Sequence, residues 1–239
     1  AWSRLGENVL AHLVKSRKIC TAPAGIAALN KLARKLAGDS AAAYSLHVAK
    51  LGVVNAFALP GRHVVISAKL IDKSRSADEV AGVLAHEIGH GLERHPETGL
   101  IRSLGISMAA TVLFGGAGTE KIGAMAGFLL KMRYSREAER QADTHAINLL
   151  RAAAISTAPL ADFFDRIAKR HKNGKLSGSF LNALRSHPAT QKRITLLRAV
   201  RIKGAKPALT EADWQALRAI CANDSSSSRN LEGLATRRR

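Results

Sequence analysis

The segment His86-Glu87-Ile88-Gly89-His90 is the most informative stretch of this sequence, because it combines metal-ligand residue types with a helical spacing. Residues four apart lie on one face of a helix, so both imidazoles point at the same site and Glu87 lies beside the first. Two neutral histidines, a third protein ligand and an open position for water make a hydrolytic zinc centre, in which a neighbouring carboxylate takes a proton from the water. The segment therefore predicts a Zn2+ site with His86 and His90 as ligands and Glu87 as general base.

The residues before this motif predict the helix that carries it. Ser76 and Glu79 have the spacing of a capping box, in which each side chain accepts a hydrogen bond from a backbone N–H at the helix start. Apolar residues follow at helical intervals, at Val80, Val83, Leu84 and Ile88. The plain alternative is an exposed helix with two solvated histidines.

The third metal ligand has to come from another part of the chain. A metzincin would have glycine at position 93 and histidine at position 96, but the sequence has Glu93 and Pro96, which excludes that class. The segment 134–143 supplies acidic residues instead, at the start of a helix that we expect Ser135 to cap.

Glu139 is the predicted third ligand within this segment. Asp143 lies one turn further along, where it can accept a hydrogen bond from a ligand histidine and fix its tautomer. Glu137 is the competing ligand, but at about 100° per residue it points away from the face that Glu139 and Asp143 share. A charged, solvated helix start is the alternative interpretation.

Composition predicts one globular domain with an anionic partner. The 239 residues are 46% hydrophobic, which is enough for a single core over residues 1–224, and the serine and arginine run in 225–239 is typical of a disordered basic tail. The 37 Lys and Arg against 18 Asp and Glu give a net charge of +19, which favours an anionic membrane surface or serves solubility alone. Nucleic acid is disfavoured as a partner, because aromatic residues are only 4% and no basic cluster is interleaved with them.

Cys20 and Cys221 lie near opposite ends of the sequence, in positions that suit a disulfide between the terminal segments. Such a bond would indicate an oxidising compartment such as a periplasm, whereas two buried thiols are the alternative. Ala1 and Trp2 run directly into amphipathic sequence, so we expect a processed or truncated chain. The uncharged runs between Arg102 and Glu120 and over 122–130 fall short of the roughly 20 apolar residues of a membrane span. They predict a helical hairpin that packs on the core or dips into a membrane surface.

Short strands are predicted between helical regions. Apolar spacing indicates helices over residues 3–14 and 24–36 and again beyond Ala161. Alternating and β-branched residues indicate strands, over 44–49, 53–58 and 63–67. Strands followed by a run of helices predict an α+β fold, mostly helical, with a short antiparallel sheet.

Four stretches together resemble the membrane-associated zinc endopeptidases that include the CAAX prenyl proteases, the bacterial HtpX proteases, periplasmic outer-membrane quality-control proteases and a mitochondrial inner-membrane stress protease. They are residues 55–61, the motif at 86–90, residues 135–143, and Ser186-His187-Pro188 with the following Arg193 and Ile194. The resemblance implies a compact gluzincin fold, one Zn2+ per chain and a protein or peptide substrate.

The resemblance also implies roles for further residues. Asn55, Ala56, Phe57 and Ala58 would form an edge strand that pairs with an extended substrate, the alternative being an ordinary buried strand. His187 would lie near the metal with Arg193 close behind it, to steady the transition-state oxyanion or regulate access, although His187-Pro188 could also be a helix-start turn. The remaining histidines are taken as structural, at positions His12, His47, His63, His95, His145 and His171.

Two departures from the family pattern narrow the expected function. Arg62 stands where the family often has a second glycine, and the spanning helices of the prenyl proteases are absent from the sequence. Prenyl-peptide processing is therefore disfavoured. We expect instead an endopeptidase that acts on misfolded or membrane-associated proteins, either in the periplasm or anchored at the inner membrane and facing the periplasm. The alternatives are a non-catalytic or latent, chaperone-like metal-binding module, which would not need Glu87, and a basic adaptor for lipid or nucleic acid.

Overall fold

Helices dominate the part of the chain that the structure describes. This computed structural model describes residues 1–14, 19–105, 109, 118–172 and 186–222. The predicted tail, residues 225–239, and parts of the predicted hairpin between Leu104 and Thr119 lie outside this set, and the single domain over residues 1–224 stays a prediction. The described strands and helices are β1 Ser45–Ala49, β2 Ala56–Leu59, β3 His63–Ser67, α1 Trp2–Val14, α2 Pro23–Ala37, α3 Ala68–Lys73, α4 Ala77–Leu92, α5 His95–Leu104, α6 Thr119–Lys131, α7 Arg136–Ala152, α8 Ala158–Lys172, α9 Gln191–Ala199 and α10 Glu211–Arg218, with a 3₁₀ turn at Gly38–Ala43. The predicted mostly helical α+β class is confirmed.

The three strands form a mixed sheet in the order β1-β3-β2. β2 and β3 are antiparallel, with Phe57 opposite Val65, whereas β1 and β3 are parallel, with His47 also opposite Val65. The prediction of an antiparallel sheet is therefore wrong for β1 and β3. β3 inserts between two strands that already run in opposite directions, so it can be antiparallel to only one of them.

A tight turn over residues 60–62 joins β2 to β3 and sets their antiparallel direction. Gly61 and Arg62 both have left-handed backbone angles, with φ of 74° and 65°. A Cβ at Gly61 would lie 2.3 Å from the Cα of Ser3, so glycine permits both the turn and the close approach of α1. The turn thereby fixes the point at which the chain leaves β2 and enters β3.

Helix α4 lies at the centre of the molecule, packed against α7, α8 and β2. Its predicted cap is present, since Ser76 Oγ accepts a hydrogen bond from the N–H of Glu79 at 3.4 Å. The Glu79 carboxylate accepts from the N–H of Arg75 at 3.0 Å. Ser135 caps α7 as predicted, accepting from the N–H of Ala138 at 3.1 Å. The two metal-ligand segments thus begin at well-defined helix starts.

The described parts of the predicted hairpin pack inside the protein. Met125 and Leu129 of α6 are buried in a cluster with Leu100 of α5 and with Leu5 and Val9 of α1. Core packing, one of the two predicted alternatives, therefore accounts for these residues. Within the described ranges, no helix has the length and hydropathy needed to cross a membrane.

A disulfide joins Cys20 to Cys221, which confirms that prediction. Backbone hydrogen bonds flank the bond on both sides: Cys20 N–H donates to Val48 O at 2.8 Å, and Ala22 N–H donates to Ile220 O at 3.1 Å. The segment before α2 is thereby fixed to the sheet and to the end of α10.

Candidate metal centre

His86 and His90 project from α4 into one buried site, as their spacing predicts. Their Nε2 atoms lie 3.2 Å apart. Glu139 reaches the same point from α7, with its two carboxylate oxygens each 3.5 Å from one of these nitrogens. Ligands about 2.0–2.1 Å from a tetrahedral zinc ion lie about 3.3–3.4 Å from one another. The three predicted ligands therefore lie close enough together to hold one metal ion.

Close contact between α4 and α7 produces this spacing. A Cβ at Gly89 would lie 2.8 Å from the carbonyl oxygen of Ala142, so any larger residue would push the helices apart. Gly89 faces α7 between the two histidines in sequence, so the same approach brings Glu139 to both. Glu137, the competing candidate, is instead exposed and bound to Arg140 at 2.6 Å.

Asp143 and Arg193 lie directly behind these donors. Asp143 Oδ1 is 3.1 Å from His86 Nδ1, the position from which a carboxylate orients a ligand histidine. Arg193 donates from Nε and Nη2 to both oxygens of Asp143, at 2.6 and 2.8 Å. Its Nη1 contacts Glu139 and donates to Pro188 O at 2.9 Å. Arg193 thus binds two carboxylates of the site, Glu139 and Asp143.

The electrostatics of the site favour the ionised form of Glu139 and a protonated His86. Burial would lower the pKa of His86, but Asp143 and Glu139 outweigh burial and raise it to about 9. Burial lowers the pKa of His90 well below its usual range. Burial would raise the pKa of Glu139, but His187 and the other histidines hold it well below its usual range. A metal ion at this site would therefore compete with a proton on His86.

Glu87 lies between strand β2 and the metal-ligand cluster, which consists of the candidate ligands His86, His90 and Glu139. Its Oε2 accepts a hydrogen bond from the N–H of Ala58 at 2.8 Å, and its Oε1 is 3.4 Å from His187 Nε2. Burial raises the pKa of Glu87. A carboxyl group with a raised pKa both accepts and returns a proton near neutral pH, as a general base and acid must.

His187 is part of the same cluster. Its Nδ1 is 2.9 Å from Glu139 Oε1 and 3.3 Å from His86 Nε2. One donor atom from each of His86, His90, Glu139 and His187 lies within 4.8 Å of the others, so the four side chains could hold one metal ion. His187 can thus act as a fourth donor or, turned away from Glu139, as a hydrogen-bond donor to a substrate.

Strand β2 is at the edge of the sheet, as predicted for the substrate strand. Asn55 O accepts from Ser67 N–H, so the antiparallel alternation directs the main-chain groups of Ala56 and Ala58 away from β3. Those of Asn55 and Phe57 face β3 instead. The N–H of Ala58, however, already donates to Glu87, and every residue of β2 is buried, so the alternative of an ordinary buried strand stays open. The Asn55 side chain donates to Ser186 Oγ at 3.3 Å.

A narrow apolar cavity opens beside His86 and Glu87. Its apolar lining comes from the α3 to α4 region and from α8, and consists of Leu70, Val83, Phe163, Phe164 and Ile167. The cavity therefore presents an apolar surface next to Glu87.

Two residues near His90 were not predicted to be functional. The ring of Tyr134 stacks on His90 with centroids 3.9 Å apart and an interplanar angle of 26°. His95, taken as structural, has its Nδ1 2.9 Å from His90 Nδ1. Neither has a periodic relation to the motif, because each lies outside a helix or at the start of the next one. The side chain of His171 lies outside the described part of the chain, and His145 pairs with Glu93 at 2.6 Å.

A buried His-Glu-x-x-His helix, a glutamate from a second helix and an adjacent edge strand define a zinc-type metallopeptidase site. The profile of peptidase family M48 matches residues 26–201, and the chain belongs to this family of metal-dependent proteases. The expected family is thereby confirmed.

Three similar proteins, all metalloproteases by name, agree with this family membership. The chain is 31% identical to mitochondrial metalloendopeptidase OMA1 of Arabidopsis thaliana over 146 residues, which are 61% of this chain and 29% of that protein. It is 30% identical to metalloprotease LoiP of Escherichia coli over 161 residues, 65% of this chain and 61% of LoiP. It is 32% identical to OMA1 of Saccharomyces cerevisiae over 143 residues, 59% of this chain and 41% of that protein. The matched part is less than two thirds of each relative's length.

Proposed function

We propose that this protein is a zinc-dependent endopeptidase in which His86, His90 and Glu139 hold one Zn2+ per chain and Glu87 is the general base. The observation that carries the proposal is the convergence of donor atoms from these three side chains to within 4.8 Å of one another, with the Glu87 carboxylate between them and an edge strand. Zinc supplies Lewis acidity to such a site when it is bound.

The remaining steps belong to the protein's own side chains. Ala56 would align an extended substrate along β2, as strand addition does at other sheet edges, and Ala58 would join it once Glu87 releases its N–H. Glu87 would take the proton of the attacking water and pass it to the leaving amine, for which its raised pKa is suited. Asp143, held by Arg193, would keep His86 in the tautomer that leaves Nε2 free to bind the metal.

His187 could have either of two roles, and each role corresponds to a different function of the protein. As a hydrogen-bond donor it would stabilise the oxyanion, an effect worth several kcal/mol in comparable sites. As a fourth donor beside Glu139 it would fill the position that water needs, which corresponds to a latent, chaperone-like metal-binding module. The observed 2.9 Å contact with Glu139 keeps this second function as the alternative.

The substrates and location follow from features outside the site. We propose that the protein acts on misfolded or membrane-associated proteins, in the periplasm or at a membrane that faces it. The disulfide supports an oxidising compartment, and the net charge of +19 supports contact with an anionic membrane surface. Nucleic acid is not favoured as a partner.

The decisive experiment measures zinc content and casein cleavage for the wild type and Glu87→Gln, with and without a chelator. We expect one zinc per chain in both proteins and chelator-sensitive cleavage in the wild type, reduced about 10²- to 10⁴-fold in Glu87→Gln. Glu93→Gln is the matched control, because Glu93 ends the same helix but contacts His145 rather than the metal-ligand cluster.

Three other outcomes are informative. Absence of zinc from the wild type would overturn the proposal. Zinc without cleavage in the wild type, with cleavage gained by His187→Ala, would establish the latent form. Full activity in Glu87→Gln would remove Glu87 from the mechanism.

A further inference from the structure

We propose that His95 and Gln141 form a hydrogen-bond relay that fixes the tautomer and orientation of His90. The inference rests on the proposed function, since it concerns how His90 is prepared to bind a metal ion. It makes His95 and Gln141 positioning residues, which act through His90 and do not touch the substrate.

The relay is a continuous line of short contacts from the metal-ligand cluster to helix α7. His90 Nδ1 is 2.9 Å from His95 Nδ1, and His95 Nε2 is 3.0 Å from the side-chain oxygen of Gln141. The opposite nitrogen of His90, Nε2, is the atom near His86 and Glu139. Each nitrogen of His90 therefore has a separate partner.

Metal binding determines the direction of every hydrogen bond in this line. If His90 binds the metal through Nε2, its neutral ring carries the proton on Nδ1 and donates it. His95 Nδ1 must then accept, so the proton of His95 is on Nε2 and is donated to the Gln141 oxygen. The reverse orientation of the Gln141 amide would require both Nδ1 atoms to donate to each other. The three side chains thus allow one arrangement of protons.

Backbone and ring contacts hold His95 in this position. Arg94, which precedes it, is in the left-handed conformation with φ of 53° and ψ of 35°, and this turn folds the chain back after α4. The Tyr134 ring stacks on His90 and lies 5.9 Å, centroid to centroid, from His95. The left-handed turn and the two contacts of the Tyr134 ring therefore hold the side chains of the relay in place.

The two metal-ligand histidines are supported by different chemistry. His86 has a carboxylate, Asp143, beside its Nδ1, whereas the relay to His90 is neutral. Glu87, Glu139 and Asp143, when ionised, together with Arg193 and a divalent cation, have formal charges that sum to zero. A neutral support for His90 orients the ring without adding a fourth anion to a buried site.

The test measures zinc affinity by chelator competition on the full chain, with the electronic spectrum of the Co2+ form as a second readout. His95→Phe keeps a ring but removes the acceptor, and we expect zinc to bind about 10- to 100-fold more weakly. His95→Asn restores an acceptor near the Nδ1 position and should remain close to wild type. Gln141→Leu should weaken zinc by a smaller factor. His145→Phe is the matched control, since His145 also bridges α4 and α7 but binds Glu93.

The outcomes separate the inference from the proposed function. If His95→Phe and Gln141→Leu both bind zinc as tightly as the wild type, the relay is overturned but the proposed function is not. Equal losses in His95→Phe and His95→Asn overturn it too, because packing would then be the cause. A wild type that binds no zinc overturns the proposed function and the relay with it. If His95→Phe fails to fold, judged by the melting of the metal-free proteins, Gln141→Leu decides.

Discussion

Arg193 joins two buried carboxylates that would otherwise repel each other inside the protein. Glu139 and Asp143 are nearly inaccessible to solvent, and Arg193 contacts both. Removing one partner from a buried charge cluster costs about 3–5 kcal/mol, because the other charges remain desolvated and unpaired. These contacts favour a positioning role for Arg193 over direct stabilisation of an oxyanion.

The Asp143 carboxyl predicts how stability depends on pH in the metal-free protein. Burial would raise its pKa, but Arg193 and His86 lower it to about 2 from an ordinary value near 3.8. A depressed pKa stabilises the fold above the ordinary value, and this contribution is lost as pH falls toward the folded pKa. We expect the stability difference between the wild type and Asp143→Asn to shrink by about 2 kcal/mol between pH 6 and pH 2. Urea unfolding at several pH values measures it, and a constant difference would contradict the assignment.

At the level of elements, the end of α4 is as important as its motif. The helix ends at Leu92, and the left-handed Arg94 starts α5 in a new direction. Left-handed geometry costs a residue with a Cβ about 1–2 kcal/mol, and it is worst for β-branched residues. This turn places His95 against His90.

Substitutions at Arg94 test this turn. We expect Arg94→Val to be less stable than Arg94→Gly by about 1–2 kcal/mol, because glycine adopts the left-handed conformation freely. Arg94→Gly should keep the zinc affinity of the wild type, whereas Arg94→Val should lower it by displacing His95. Thermal unfolding and chelator competition report the two effects. Equal stability of the two variants would show that the turn is not under strain.

For the whole molecule, charge rather than shape suggests where it works. The sequence carries 37 basic and 18 acidic residues. Near an anionic lipid surface each Lys or Arg contributes about 1 kcal/mol to the binding free energy. In 0.1 M salt this attraction decays over a screening length of about 10 Å. The proposed membrane contact therefore requires no spanning helix.

Vesicle binding tests that contact directly. We expect sedimentation with phosphatidylserine vesicles at about 0.1 M salt and at least about 10-fold weaker binding near 1 M, where the screening length is about 3 Å. Neutral phosphatidylcholine vesicles are the control lipid. Glu87→Gln should bind equally, because Glu87 is buried and does not contribute to the surface charge. Binding that does not change with salt would contradict an electrostatic contact.

The features that follow from local spacing could be predicted from the sequence. Although Glu139 reaches the two histidines only through the close packing of α4 and α7, the starts of these helices, the shared face of His86 and His90, and the Cys20–Cys221 bond are of this kind. Each depends on a helical period, a cap or a cysteine count.

Features that depend on the path of the chain through space could not be predicted. The parallel pairing of β1 with β3 results from β3 inserting between two earlier strands. The contact of His95 with His90 depends on the left-handed Arg94, which leaves no periodic pattern in the sequence. The main-chain groups of Phe57 face β3 because of the register of the sheet. Tertiary geometry decides all three.

The bond between Cys20 and Cys221 turns the intervening chain into a covalent ring that contains every residue of the metal centre. One cut inside a ring opens it without releasing a fragment, so a molecule cleaved once between these cysteines keeps both pieces. On a gel without reductant such a nicked molecule would migrate near the position of the intact protein, and the two fragments would separate only after thiol treatment. Self-digestion by the proposed endopeptidase would therefore escape notice in non-reducing preparations.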